Sequence, residues 1–281
     1  MVGSPAHSRP EGTFGQRFVE RAATYGPVCV GIDPHAQLMQ DWGLEANVDG
    51  LRQFTDICVE AFAETACVVK PQVAFYERFG SAGFAVLERA LSALRAAGVL
   101  VIADAKRGDI GSTMAGYATA WLDDSSPLCA DAVTVSPWLG FGSLEPVMQA
   151  AEQSHRGAIV LAATSNPEAP SVQLADVRGV TLAQSIVNQV AQRNAVHEGP
   201  GNLGVVVGAT VDNPPQLDEV GGMILMPGVG AQGGSFADVE RIAGAAEALA
   251  CPNVSRGVLK RGPDVGEISD AVMEMRASYL K

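Results

Sequence analysis

A chain of 281 residues with 47% hydrophobic and 18% charged residues carries enough apolar material for one large core. It falls outside the disordered class, which combines low hydrophobicity with high charge. A formal net charge of −12 excludes nucleic-acid binders that track phosphates and polybasic membrane anchors, since both need a basic face.

The amino terminus, MVGSPAHSRPEGTFGQRF, lacks the apolar core of a secretory signal, and no stretch approaches the ~18 apolar residues of a membrane span. A cytoplasmic protein is expected. The first 25 or so residues read as a loose arm or a helix closing the floor of a single domain spanning 1–281. Short apolar, β-branched runs then alternate with helix-length segments. The runs are Val28–Asp33, Cys67–Gln72, Val99–Lys106, Ala132–Pro137, Ala158–Thr164, Leu203–Thr210, Met223–Val229 and Asn253–Leu259. Continuous rather than alternating apolar runs suit parallel strands covered on both faces. Between them, Phe84, Leu87, Leu91 and Leu94 form an amphipathic stripe ended by Gly98. Thr181 to Ala195 is a second helical segment, and Ser235 to Leu249 opens with an N-cap serine. Eight strands of this kind predict an α/β fold, a single (β/α)8 TIM barrel, over the competing doubly wound sheet.

Cys29, Cys58, Cys67, Cys129 and Cys251 are scattered without a CxxC pair, as expected for reduced thiols packed as small hydrophobes. His7, His35, His155 and His197 show no paired ligand spacing, so a protein-bound metal is not expected.

A barrel enzyme works at the C-terminal ends of its strands. Those ends carry Asp33, then Lys70, then Asp104 and Lys106 with Asp109 in the following loop. Next come Ser136, then Thr164, Ser165 and Asn166, and strand eight carries Ser255, Arg256 and Gly257. One such group is usually a cap or turn residue, but six at one rim exceed what capping explains. The chain holds only four lysines against fifteen arginines, and Lys70 and Lys106 both follow apolar runs. A lysine there costs desolvation unless it is paired. Asp104 and Lys106, two apart on one strand, share a face that Lys70 can reach from the neighbouring strand. The structural alternative is a buried ion-pair ladder. The functional reading is an alternating Lys–Asp–Lys–Asp array that delivers a proton to a carbanion.

PGVGAQGG after strand seven holds Gly228, Gly230 and Gly233 in a formal GxGxxG. It sits too late in the chain for a dinucleotide fingerprint. Its exposed N–H groups, with Arg256, predict a phosphate site after strands seven and eight. The alternative is a glycine-rich turn without a ligand.

The segments GID, VVKPQ, ADAKRGDIGST, VSP, PGVGAQGG and VSRGVL together resemble the orotidine 5′-phosphate decarboxylase family, in its longer, mycobacterial-type bacterial branch, from Val28 to Leu259. The resemblance implies a metal-free, cofactor-independent, homodimeric TIM barrel. Its small-molecule substrate would be orotidine 5′-monophosphate, converted to UMP in pyrimidine biosynthesis. Lys106 would donate the proton to C6, with Asp104 beside the departing carboxylate. Lys70 and Asp33 would hold ribose hydroxyls. Asp109 and Thr113 would reach into the partner's site. Ser136 would bind the base edge, with Pro227 against the ring. Gln232 and Arg256 would contact phosphate, and Gly228, Gly230, Ser255 and Gly257 would be among the substrate-binding residues. The loop after Pro227 is shorter than the closing loop of the fungal and archaeal branches. Magnesium-dependent sugar-phosphate decarboxylases or aldolases of the same superfamily share Asp-x-Lys-x-x-Asp but place a glutamate among their metal ligands, and no strand end here carries one. A non-catalytic nucleotide-binding barrel would have no need of an intact Lys106 with both aspartates.

Overall fold

The computed structural model describes residues 10–230 and 233–280. Eight strands are parallel and close into a barrel in which each pairs with its neighbours in sequence, the last with the first. They are β1 (Cys29–Ile32), β2 (Val68–Pro71), β3 (Leu100–Arg107), β4 (Ala132–Val135), β5 (Gly157–Ala163), β6 (Leu203–Val207), β7 (Ile224–Pro227) and β8 (Ala250–Val254). This is the (β/α)8 barrel that the apolar runs predict. Helices fill every connection except the sixth, where 208–223 runs from β6 to β7 without one. Among the described residues no helix is long and apolar enough to cross a membrane.

The period of two along each strand sorts the side chains into two cores. Val30, Val69, Val101, Val133, Val160, Val205, Ile224 and Val254 face outward and pack under the helices. Cys29, Val68, Leu100, Ile102, Ala132, Ile159, Val206, Leu225 and Cys251 form a second cluster inside the barrel. The helix Phe14–Tyr25 adds Phe14 and Phe18 to that inner cluster. A capping box at Thr13 and Gln16 starts the helix. Gly157 leaves room for it: a Cβ there would lie 2.6 Å from the Phe14 ring. The N-terminal end of the barrel is therefore packed apolar, and polar side chains begin one layer higher.

The helix Gly80–Ala96 buries Leu87, Leu91 and Leu94, with Phe84 half-buried. Gly98 at φ 78° turns the chain into β3. Leu182–Asn194 begins on the Thr181 cap. Two segments differ most from the sequence reading. The segment after Ser235 is an α-helix only over Phe236–Ala243 and continues as a 3-10 helix, Gly244–Leu249. The eighth strand begins at Ala250 and ends at Val254, three residues before the expected start. Pro252 lies within it, opposite Met226. Ser255, Arg256 and Gly257 therefore follow β8, and Arg256–Leu259 is a single helical turn.

Candidate active site

The inner faces of β2, β3 and β4 meet above the apolar floor. The Asp104 carboxylate is the hub. Its Oδ2 accepts from Lys70 Nζ at 2.9 Å. Its Oδ1 accepts from Lys106 Nζ at 2.6 Å and from the Thr134 hydroxyl at 2.9 Å. Gln72, with its amide nitrogen turned toward this carboxylate, donates to Oδ2 and accepts from Lys106 Nζ at 3.3 Å. Four donors thus occupy the four or so lone-pair positions of one carboxylate.

The two lysines differ in access. The Lys70 side chain is 5% exposed and that of Lys106 45% exposed, so only Lys106 opens onto the space above the barrel. Burial alone would push the Lys70 ammonium down. The Asp104 carboxylate, with Asp33 adding, outweighs that and lifts it above the ordinary lysine value. Burial would likewise raise Asp104, but Lys70 and then Lys106 hold it well below the usual carboxylate range. Both groups are charged at neutral pH.

Lys106 is not in regular strand geometry. The β3–β4 register shifts between Ala103 and Arg107, and Lys106 has φ 49°, a left-handed backbone that costs an L-residue about 1–2 kcal/mol. Its N–H donates to Thr134 Oγ1 at 3.0 Å. A bulge of this kind re-aims a side chain. Arg107, next along, is ion-paired with Glu77 and lies over the Tyr117 ring at 5.6 Å, which commits it to packing. Gly108 follows because a Cβ would lie 2.5 Å from the Ser136 carbonyl oxygen. This approach joins the ends of β3 and β4, where Ser136 N–H donates to Arg107 O at 2.8 Å. Ser136 is half-buried.

On the other side of β2, past the ends of β1 and β8, Asp33 Oδ1 and Ser255 Oγ are buried without a hydrogen-bond partner. They converge over Gly31, where a Cβ would lie 3.2 Å from Asp33 Oδ2 and 3.0 Å from Ser255 Cβ. Buried polar atoms are normally satisfied, so an orphaned pair at the rim is a candidate contact for a polar ligand. Arg256 is exposed and Gly257 half-buried. Arg256 lines a surface cavity of about 450 Å³ with His35 and Lys260.

The glycine loop departs from the sequence reading in one respect. Gly228, Gly230 and Gly233 all have positive φ, as a tight turn requires. Yet the N–H groups of Gly230, Gly233 and Gly234 bond within the loop, to the carbonyls of Gly234, Gly230 and Gly228. These three amides are spent on holding the turn, so they are not free for phosphate. Pro227 is half-buried at the end of β7. Gln232 lies outside the described residues.

The contact that Asp109 makes is local: its Oδ1 accepts from the Ile110 N–H at 2.8 Å. Thr113 is exposed on the helix Gly111–Leu122. Within one chain the array is therefore Lys70–Asp104–Lys106, without its expected fourth member. Ile110, Trp138 and Leu139, from the loops that leave β3 and β4, are 61%, 73% and 54% exposed. Sequence reasoning did not single out Gln72 or Thr134. The signal was present: Gln72 stands two residues after Lys70, and Thr134 two before Ser136, each on the inward face.

The match to known proteins covers nearly the whole chain. Residues 26–271 match the model of the orotidine 5′-phosphate decarboxylase / HUMPS family. The orotidine 5′-phosphate decarboxylase of Corynebacterium efficiens is 60% identical over 271 residues, 95% of this chain and 97% of the relative. That of Corynebacterium glutamicum strain R is 58% identical, over 95% and 98%. Among solved structures, a Streptomyces avermitilis protein assigned as an orotidine 5′-phosphate decarboxylase superposes with a TM-score of 0.93 at 48% identity, covering all of both chains. The Leishmania donovani OMP decarboxylase gives 0.73 at 30% identity, over 96% of this chain and all of its own. With barrel, Lys–Asp–Lys cluster and full-length identity in agreement, the chain belongs to the orotidine 5′-phosphate decarboxylase family.

Proposed function

We infer that this chain decarboxylates orotidine 5′-monophosphate to UMP and CO2, and we propose Lys106 as the proton donor. The observation that carries the reading is the Asp104 carboxylate pinned between a buried Lys70 and a half-exposed Lys106. The bond from C6 to the carboxylate breaks, CO2 leaves, and the electron pair remains on C6. That carbanion is vinylic and poorly delocalised. An ammonium held at ~3 Å in a dry pocket stabilises the charge electrostatically. Lys106 Nζ then transfers its proton to C6. Asp104 lies beside the departing carboxylate and keeps Lys106 aimed. Lys70 and Asp33 hold ribose hydroxyls, with Ser255 beside Asp33. Ser136 takes the base edge, Pro227 the ring, and Arg256 with Gln232 the phosphate.

The hub supports metal-independent turnover. Every lone-pair direction of Asp104 is taken by Lys70, Lys106, Thr134 or Gln72. A magnesium ion would have to displace a lysine to reach it, which favours the cofactor-free reaction over the sugar-phosphate alternative. We further propose a cytoplasmic homodimer in which Asp109 and Thr113 enter the partner's pocket. The exposed apolar side chains of Ile110, Trp138 and Leu139 beside them suit a subunit interface.

The role of Lys106 is tested by Lys106→Ala. A proton donor contributes about 10²–10⁴ and a charge stabiliser about 10²–10³. Turnover should fall by several orders of magnitude while UMP binding, measured by calorimetry, is largely kept. A variant retaining a tenth of wild-type turnover would remove Lys106 from the chemistry.

A further inference from the structure

We propose that Thr134 is the positioning residue for Lys106, acting on both ends of that lysine through one hydroxyl; the inference rests on Lys106 being the proton donor. Thr134 lies in β4 and is 1% exposed. Its Oγ1 accepts from the Lys106 backbone N–H at 3.0 Å and donates to Asp104 Oδ1 at 2.9 Å. That same Oδ1 holds Lys106 Nζ at 2.6 Å.

The direction of the hydroxyl proton is forced. A backbone N–H can only donate, and an ionised carboxylate can only accept. The hydroxyl therefore has one orientation that satisfies both partners. Its backbone contact falls where the β3–β4 ladder is broken by the register shift. At that point a side-chain oxygen stands in for the strand carbonyl that a regular ladder would offer. Lys106 needs such a hold, because its left-handed φ of 49° persists only where the surroundings over-determine it. The contact with Asp104 fixes the other end of the ring, since the carboxylate that aims the ammonium is itself held against rotation. Valine at this position would fill the same space and make neither bond.

The experiment is steady-state turnover of orotidine 5′-monophosphate by wild type, Thr134→Val, Thr134→Ser and Lys106→Ala, with UMP affinity measured for each. A reacting group displaced by about 1 Å loses about 10²-fold in rate. Thr134→Val should accordingly lower kcat by about 10–100-fold while KM and UMP affinity stay within about threefold. Thr134→Ser, which restores the hydroxyl, should return kcat to within about fivefold of wild type. A Thr134→Val enzyme within about twofold of wild-type kcat, or a Thr134→Ser enzyme as slow as Thr134→Val, overturns the proposal. If Thr134→Val does not fold, Thr134→Ala against Thr134→Ser makes the same comparison. Loss of the fold in both hydroxyl-free variants would make Thr134 structural and would also overturn it. Lys106→Ala separates the two levels. If it is inactive and Thr134→Val is not slowed, only the positioning role falls. If it remains active, the proton-donor reading fails and this inference with it.

Discussion

Lys70 and Lys106 are the same residue type bonded to one carboxylate, and burial divides their work. Lys70, almost wholly enclosed, stabilises the Asp104 anion and is in turn held charged by it. Lys106 keeps nearly half of its side chain exposed, which a proton donor requires. Asp104 sits below its ordinary value and Lys70 above its own, so this pair stays charged between roughly pH 4 and pH 10. Arg256 contrasts with them. It is exposed and lies just past β8, free to meet an anion. Arg256→Ala should mainly raise KM for the phosphorylated substrate, with a smaller loss in kcat. Any trace turnover of the unphosphorylated nucleoside should hardly change, because that substrate has no phosphate to lose. Initial-rate kinetics on both substrates check this. Equal proportional losses would make Arg256 structural.

At the scale of elements, strand existence was legible and strand ends were not. Of the seven runs before the last, five contain the whole strand that forms and two miss a single terminal residue of it, Arg107 of β3 and Gly157 of β5, because continuous β-branched sequence has few other buried uses. The eighth strand starts three residues before its apolar run, Asn253–Leu259. Pro252 normally argues against a strand interior, and the alanine-rich segment before it reads as helix. The small antiparallel hairpin Asp176–Val177 with Val180–Thr181 carried no warning. Its two-residue turn is Arg178–Gly179, both at positive φ, where Asn or Asp is the usual first residue. The cluster of Lys70, Asp104 and Lys106 was legible from the period of two and strand adjacency. The bulge that places Lys106 was not, since it depends on a bond to Thr134 in another strand. Nor could the glycine count of PGVGAQGG show that three of its amides bond back within the loop.

At the scale of the whole molecule, a chain of net charge −12 has to bind a polyanion. The attraction must be local, from Lys70, Lys106 and Arg256 at one end of the barrel. A two-fold dimer would complete each pocket with the partner's Asp109. Mixing two inactive variants tests this. In a Lys106→Ala/Asp109→Ala heterodimer one pocket carries both lesions and the other neither. Random exchange on co-refolding makes half the dimers mixed, so roughly a quarter of wild-type sites should return. Verified heterodimers as inactive as their parents would place Asp109 in its own subunit's chemistry.

A Lys–Asp–Lys cluster of this kind should decarboxylate orotidine 5′-monophosphate with no metal. The most direct measurement is the ultraviolet loss of orotidylate after exhaustive chelation with EDTA, repeated after magnesium is added. The cluster described above predicts full turnover in EDTA and no gain from magnesium. Turnover abolished by chelation and restored by magnesium would contradict it.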